Sequence, residues 1–315
     1  MDFENMTLGP VANVAVFIIF ILFAVSYIFY VIVFLPKKPK DPLAPMLLGD
    51  AARFEEESEA LIKKLAEREY ESVVVKSYDK TRLFGRLYRG NEGAPVIICF
   101  HGYNGNAIRD FSGGADFLLD EGYSVLLVDQ RSQGRSEGRC PTFGIKERFD
   151  TITWAKYVIE EFGDDVDIFF NGISMGATTV LMANDVKLPE NVRGIFADCP
   201  FNSPYDIIEY VMTVHKHLPK ALMFIVDLSA QIFAGFDLRN LTCAYAVSGS
   251  RMPMMIVHGE ADTFVPEYMS KEIHDANPEM IERYTFPGAE HGVSFLYDPE
   301  RYKKLMLGFY EKCLD

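Results

Sequence analysis

Between Pro10 and Pro36 runs VANVAVFIIFILFAVSYIFYVIVFL, Val11 to Leu35, without a single charge. A helix of that length measures about 37 Å against a hydrocarbon core of about 30 Å, so the segment reads as a transmembrane helix with some tilt. A soluble core helix this uniform would need apolar partners on every side. A cleaved signal peptide should begin basic, have a shorter apolar run and end at small residues. Here Asp2 and Glu4 precede the run, and it exits through Phe34-Leu35-Pro36. Lys37, Lys38 and Lys40 follow at once, and basic residues beside a single span stay cytoplasmic, which places the rest of the chain on that side.

The sequence has 315 residues, of which 49% are apolar and 24% charged, with no low-complexity tract. Such a chain can bury a large core, which excludes disorder, collagen and small disulfide scaffolds. A formal charge of -14 without a basic run excludes a phosphate-backbone footprint, and with it nucleic acid as a partner. Cys99, Cys140, Cys199, Cys243 and Cys313 are scattered, with no Cys-x-x-Cys pair, and read as reduced thiols. The expected organisation is a tail (1–10), a membrane helix (11–35), a juxtamembrane linker (36–71) carrying a charged helix from Gly49 to Tyr70, and a globular part from 72 to 315.

After Glu71, short apolar runs alternate with amphipathic stretches, the signature of an α/β sheet. The expected strands are Val73 to Ser77, Phe84 to Tyr88, Val96 to Phe100, Ser124 to Val128, Asp167 to Phe170, Gly194 to Ala197, Met254 to His258 and Arg283 to Phe286. The interior ones are continuously apolar, as strands covered on both faces should be. The helices expected between and after them are Ala107 to Asp120, Gly144 to Glu161, Met175 to Val186, Pro266 to Ala276 and Pro299 to Cys313. From about 200 to 252 the alternation lapses into helical stretches rich in large apolar residues, read as a small cap. Its Met212, Met223 and Phe224 are the side chains expected to line an apolar substrate pocket.

Gly172-Ile173-Ser174-Met175-Gly176 follows a strand and opens a helix. In that context G-x-S-x-G is a tight strand-to-helix turn that lifts a serine hydroxyl above the sheet, where the helix N-terminus favours developing negative charge. A serine is a weak nucleophile without a base and a carboxylate to orient that base. His291, in Gly288-Ala289-Glu290-His291-Gly292, follows the last strand; Asp262 follows the one before. Asp198, also at a strand end, is the second choice of acid. His215, His217, His258 and His274 read as structural. The turn His101-Gly102-Tyr103-Asn104-Gly105-Asn106 can aim the Tyr103 backbone N–H, together with that of Met175, at a substrate oxygen.

These motifs resemble the α/β-hydrolase superfamily over residues 72 to 315. Asp129-Gln130-Arg131-Ser132-Gln133-Gly134-Arg135-Ser136-Glu137-Gly138 resembles its D-x-R-G-x-G-x-S turn, with Ser132 where glycine is usual. The layout is similar to membrane-anchored bacterial hydrolases of the serine esterase and aminopeptidase-like group. The resemblance implies an eight-stranded, mostly parallel sheet flanked by helices, and hydrolysis of an ester, thioester or amide through an acyl-enzyme. A serine at the nucleophile position argues against dehalogenase and epoxide-hydrolase chemistry, which the resemblance associates with aspartate.

The expected activity is therefore hydrolysis of carboxylic esters with small to medium acyl groups by Ser174, His291 and Asp262. No metal or organic cofactor is called for. The alternatives are a lipid or thioester hydrolase, a peptidase, and a membrane-tethered binding protein on the same fold.

Overall fold

Eight runs rich in Val, Ile, Leu and Phe form one sheet in the computed structural model, which describes residues 10–36, 41, 43–45, 47 and 49–315. They are β1 (Glu71–Lys76), β2 (Arg82–Tyr88), β3 (Val96–Phe100), β4 (Ser124–Asp129), β5 (Ile168–Ile173), β6 (Val192–Asp198), β7 (Met254–Gly259) and β8 (Ile281–Phe286). Each expected strand is present, with its ends displaced by at most a few residues. The spatial order is β1-β2-β4-β3-β5-β6-β7-β8. Pairing is antiparallel from β1 to β2 and from β2 to β4, and parallel from β4 to β8. In β3, Val96, Ile98 and Phe100 enter one core while Ile97 and Cys99 enter the other, so both faces of the sheet are covered.

The helices, in order, are α1 (Pro10–Val33), α2 (Glu55–Ala66), α3 (Ala107–Asp110), α4 (Ser112–Asp120), α5 (Glu147–Phe162), α6 (Met175–Met182), α7 (Pro204–Tyr210), α8 (Met223–Ser229), α9 (Cys243–Val247), α10 (Glu267–Ala276), α11 (Ser294–Tyr297) and α12 (Pro299–Leu314). Three expected helices are divided. The run from Met175 leaves α6 at Met182 and ends in a 3-10 turn from Ala183 to Asp185. Gly49 to Phe54 is a 3-10 turn that leads into α2. The run from Ala107 to Asp120 breaks at Phe111, which leaves helical geometry and buries its ring in the core.

Helix α1 is long and apolar enough to cross a membrane. Most of its side chains from Val11 to Phe23 are exposed. Its last turns, however, belong to the body. Ser26, Tyr30 and Phe34 are buried, and Tyr30 and Phe34 sit in the same core as β3 and α6. The Phe233 ring meets Phe23, Tyr27 and Tyr30, and Phe34 stands edge-on to Phe143 and Phe236. Lys37, Lys38 and Lys40, on which the cytoplasmic expectation rests, lie outside the described residues, as do Asp2 and Glu4.

Helix α2 packs on the opposite core, against α4, through Ile62 and Leu65. Of the residues between α1 and α2, Leu47 and Asp50 lie at the C-terminal edge of the parallel strands. There Leu47 meets a cavity, and the Asp50 N–H donates to Glu290 Oε1 at 3.0 Å.

The segment from 200 to 252 holds α7, α8 and α9, with π-helical turns at Val211–His215 and Ala230–Ala234. Ser203 caps α7 by accepting from the Asp206 N–H. Met223, Val226 and Ala230 recur at helical spacing and are buried, so α8 turns that face to α1 and the body and its Phe224 outward.

Candidate active site

Strand β5 delivers Ser174 into a backbone conformation few side chains adopt, φ +55° and ψ −116°. Holding a non-glycine residue there costs on the order of 1–3 kcal/mol, which the surrounding structure must over-determine. It does so through the Ser174 N–H, which donates to the Asp198 carbonyl at 2.8 Å, and through two glycines. A Cβ at Gly172 would fall under 3.0 Å from the backbone of Gly176 and Ala177, and one at Gly176 would fall on the Phe100 carbonyl oxygen. Gly176→Ala is therefore expected to prevent accumulation of folded protein, measured as the soluble or detergent-extractable fraction, whereas Ala177→Gly is tolerated.

His291 Nε2 lies 2.9 Å from Ser174 Oγ, and His291 Nδ1 lies 2.7 Å from Asp262 Oδ2. With Nδ1–H donating to the carboxylate, Nε2 is the acceptor for the serine hydroxyl. Both side chains arrive from loops at the C-terminal ends of β7 and β8, where α/β sheets bind ligands. Asp262 is fixed on its other oxygen by the N–H groups of Phe264 and Val265, at 2.9 and 2.8 Å. His258 Nε2 lies 3.3 Å from Asp262 Oδ2 and 2.9 Å from the Val265 carbonyl. Burial pushes the Asp262 carboxyl up, but the nearby imidazoles of His291 and His258 outweigh it and hold it well below the usual carboxylate range. For His291 burial acts downward, and Asp262 overrides it to raise the imidazole above its ordinary value.

The two residues expected to supply backbone donors both adjoin Ser174. Met175 is the first residue of α6, so its N–H has no acceptor within the helix. Tyr103 lies in a turn beside Ser174, fixed by the Gly102 N–H donating to Asp110 Oδ2 at 2.9 Å and the Gly105 N–H donating to the Gly102 carbonyl at 3.0 Å. Asp110 is in turn paired with Arg109 at 2.9 Å. Sequence reasoning read His258 as structural and did not single out Asp110 or Glu290. Glu290 meets a partner near only in the fold, Asp50, whereas Asp110 and His258 lie within eight residues of Gly102 and Asp262, a closeness that was the one local signal.

A cavity of about 350 Å³ opens at Ser174 and His291. Behind them it reaches Asn171, Phe196, Asp198, Tyr302 and Met306, and Leu47, Ser58 and Leu61 of the connection and α2 close another side. Asp198, the second choice of acid, forms part of this wall. Its carboxylate accepts from Ser294 Oγ at 3.3 Å, and burial raises it to about 6 against the opposing pull of His258, Tyr302 and His291. Met212, Met223 and Phe224 do not line the cavity. Met212 and Met223 are buried in the core that α1 shares, and Phe224 is 66% exposed. Their spacing placed them on a cap, but the direction a cap helix faces is set by what it packs against, here α1.

Among the described residues, Cys199, Asp262 and His291 bring metal-ligand types within 4.8 Å of one another. The carboxylate and imidazole are already engaged with each other, and burial with the nearby Asp198 and Asp262 drives the Cys199 thiol well up. A thiol held neutral is a poor ligand. The turn after β4 tolerates its departure from the usual glycine by holding Ser132 at φ +62°, with its hydroxyl donating to the Arg131 carbonyl at 2.5 Å.

Comparison with known proteins agrees with this architecture. Residues 95–237 match the family described as alpha/beta hydrolase fold. An uncharacterized protein of Bacillus subtilis, YqkD, is 24% identical over 221 residues, 70% of this chain and 72% of that protein. A thiohydrolase of Aspergillus aculeatus, aneE, is 31% identical over 140 residues, 42% of each chain. The Pyrococcus furiosus esterase Pf2001 superposes with a TM-score of 0.64 at 23% identity, covering 87% of this chain and 99% of the esterase. With the strand order, the serine turn after β5 and the match across β3 to the cap, the chain has the α/β-hydrolase fold.

Proposed function

We propose that this hydrolase cleaves carboxylic esters of small to medium acyl chains by a serine mechanism. The observation that carries the reading is the chain Ser174–His291–Asp262, at 2.9 and 2.7 Å, facing a cavity of about 350 Å³. Ser174 Oγ attacks the acyl carbonyl carbon while His291 Nε2 takes its proton. Asp262 holds the imidazole and stabilises its charge, and the N–H groups of Tyr103 and Met175 receive the oxyanion. The tetrahedral species collapses, and the alcohol leaves with the proton from His291. A water that gives its proton to His291 then attacks the acyl-enzyme, releases the acid and restores Ser174. The likeness to an esterase supports the ester reading, and the relative named a thiohydrolase supports a thioester as the second one.

A competing p-nitrophenyl ester and thioester series, from acetyl to palmitoyl, tests the acyl preference. Loss of activity beyond medium chains is expected, and a preference for palmitoyl would overturn the chain-length claim. The pH profile tests the base. Neutral His291 is the active form, so kcat/KM should fall as pH drops through a value above about 6.5, the ordinary imidazole value. Asp262→Asn removes the strongest of the groups that raise it and leaves burial opposed only by the more weakly acting Asp198 and Asp110, so the limb should move to lower pH while kcat falls by about 10⁴-fold. A limb that stays in place would remove His291–Asp262 coupling from the mechanism.

The same reading makes α1 a retained membrane span rather than a removable leader. Its last turns supply Ser26, Tyr30 and Phe34 to the interior, and removing them would open the core. The three lysines that follow place the hydrolase on the cytoplasmic side.

A further inference from the structure

Helix α1 is clasped by the body over a stretch that a span needs. About 20 helical residues cross a hydrocarbon core of about 30 Å, which counted from Val11 reaches Tyr30. Yet Phe23 already touches Phe233, with ring centroids 5.0 Å apart, and α8 packs along α1. The helix free of the body, Val11 to Leu22, covers only about 18 Å, so roughly 12 Å of the near leaflet has to be crossed alongside the cap. The side chains there suit that depth. Phe224 on α8 and Ile232 on the turn after it are 66% and 47% exposed. Exposed Tyr27 meets the same Phe233, and the exposed Arg139 guanidinium lies 5.7 Å over the ring of the buried Tyr30 beside it, so a tyrosine and an arginine, the residue types that mark the headgroup level, stand at this end of the span.

We propose that the cap face formed by α8 and the π-helical turn at Ala230–Ala234 is inserted, through Phe224 and Ile232, into the leaflet from which α1 emerges. The protein then meets the membrane with two elements, a span and an apolar wedge packed beside it. The proposal rests on the reading of α1 as a span. The partner is the hydrocarbon region of a bilayer and not its charge, since a chain of net charge -14 is repelled by anionic lipid. The end of α1, beside which the wedge is packed, lies close to the proposed site. The Tyr103 hydroxyl donates to the Val33 carbonyl at 2.9 Å, and the Tyr103 ring stacks on Phe143, which meets Phe34.

The test uses full-length protein in nanodiscs of zwitterionic phosphatidylcholine, with and without bromine on the acyl chains, which quenches tryptophan emission at short range. Trp154, the chain's single tryptophan, is 1% exposed and is replaced by phenylalanine in every variant. Into that background go Phe224→Trp and Ile232→Trp, with Phe20→Trp reporting on the span itself and Tyr245→Trp, at a site 71% exposed on α9, reporting on the body surface. The four positions are exposed, so each added tryptophan leaves the packing of the shared Trp154→Phe background unchanged. Bromolipid is expected to quench Phe224→Trp and Ile232→Trp to the extent of Phe20→Trp and to leave Tyr245→Trp unchanged. Quenching of Phe20→Trp alone would overturn the wedge while the span stands. No quenching of Phe20→Trp would overturn the span and the wedge with it. Equal quenching of Tyr245→Trp would mean general adsorption and overturn the specific face.

Discussion

Ser174→Ala is expected to lower hydrolysis of p-nitrophenyl esters by about 10⁴- to 10⁶-fold, to abolish labelling by a fluorophosphonate, and to leave the fold intact. The size follows from the mechanism: without Oγ no acyl-enzyme forms, and His291 is left without the proton it exists to take. The residual rate is set by what binding and the oxyanion donors supply to an attacking water. Folding is unaffected because Ser174 is fixed by its backbone, through the N–H donated to Asp198 and the close packing of Gly172 and Gly176, which alanine preserves. His291→Gln should match Ser174→Ala in rate, and the double variant should be no worse, since the two act as one unit. A Ser174→Ala protein that keeps more than a tenth of the wild-type rate would remove the serine mechanism. Folded wild-type protein that neither hydrolyses the series nor accepts the probe would bring forward a binding protein on this fold.

Phe34→Ala is expected to destabilise the hydrolase body by about 3–5 kcal/mol, although Phe34 belongs to the apolar run that precedes the sheet by more than thirty residues. Phe34 is 0% exposed, and its edge contacts with Phe143 and Phe236 tie the end of α1 to the loop before α5 and to the cap. The loss should appear as a fall in melting midpoint on the order of 10 °C for the full chain in nanodiscs. Phe20→Ala, at an exposed position on the same helix, should leave that midpoint unchanged. The same packing predicts that a chain starting at residue 40 is poorly soluble, because Phe143, Phe233 and Phe236 would lose their cover. A truncated chain that melts at the full-length temperature would show that α1 is only a tether.

The proposed site was legible in the sequence to the degree that its parts are local. The Gly172–Gly176 turn needs only a strand before it and a helix after it, and both are written as apolar periodicity within a dozen residues. His291 and Asp262 could be located because each follows a strand directly. The acid was open between Asp262 and Asp198, since both end strands. Only the fold shows that Asp262 touches the imidazole while Asp198 turns into the cavity wall toward Ser294. The pocket was not legible. Met212, Met223 and Phe224 have the composition of a lining, but Met223 is drawn inward by the face that α8 turns to α1, and the cavity is bounded instead by Tyr302, Met306 and the approach to α2.

The sequence by itself determined the eight strands, the burial of the interior ones on both faces, the Gly172–Gly176 turn and the membrane-length helix. Each of these follows from periodicity, glycine placement or apolar length within a short window, where neighbours in sequence are neighbours in space. The tertiary structure alone decided that the last turns of α1 complete the core, that Leu47 and Leu61 come to the cavity beside Ser174, and which way the cap faces. Those outcomes depend on contacts between residues such as Phe23 and Phe233, more than two hundred positions apart. A one-dimensional pattern shows that a side chain is apolar, whereas what covers it is set by which surfaces meet when the sheet closes.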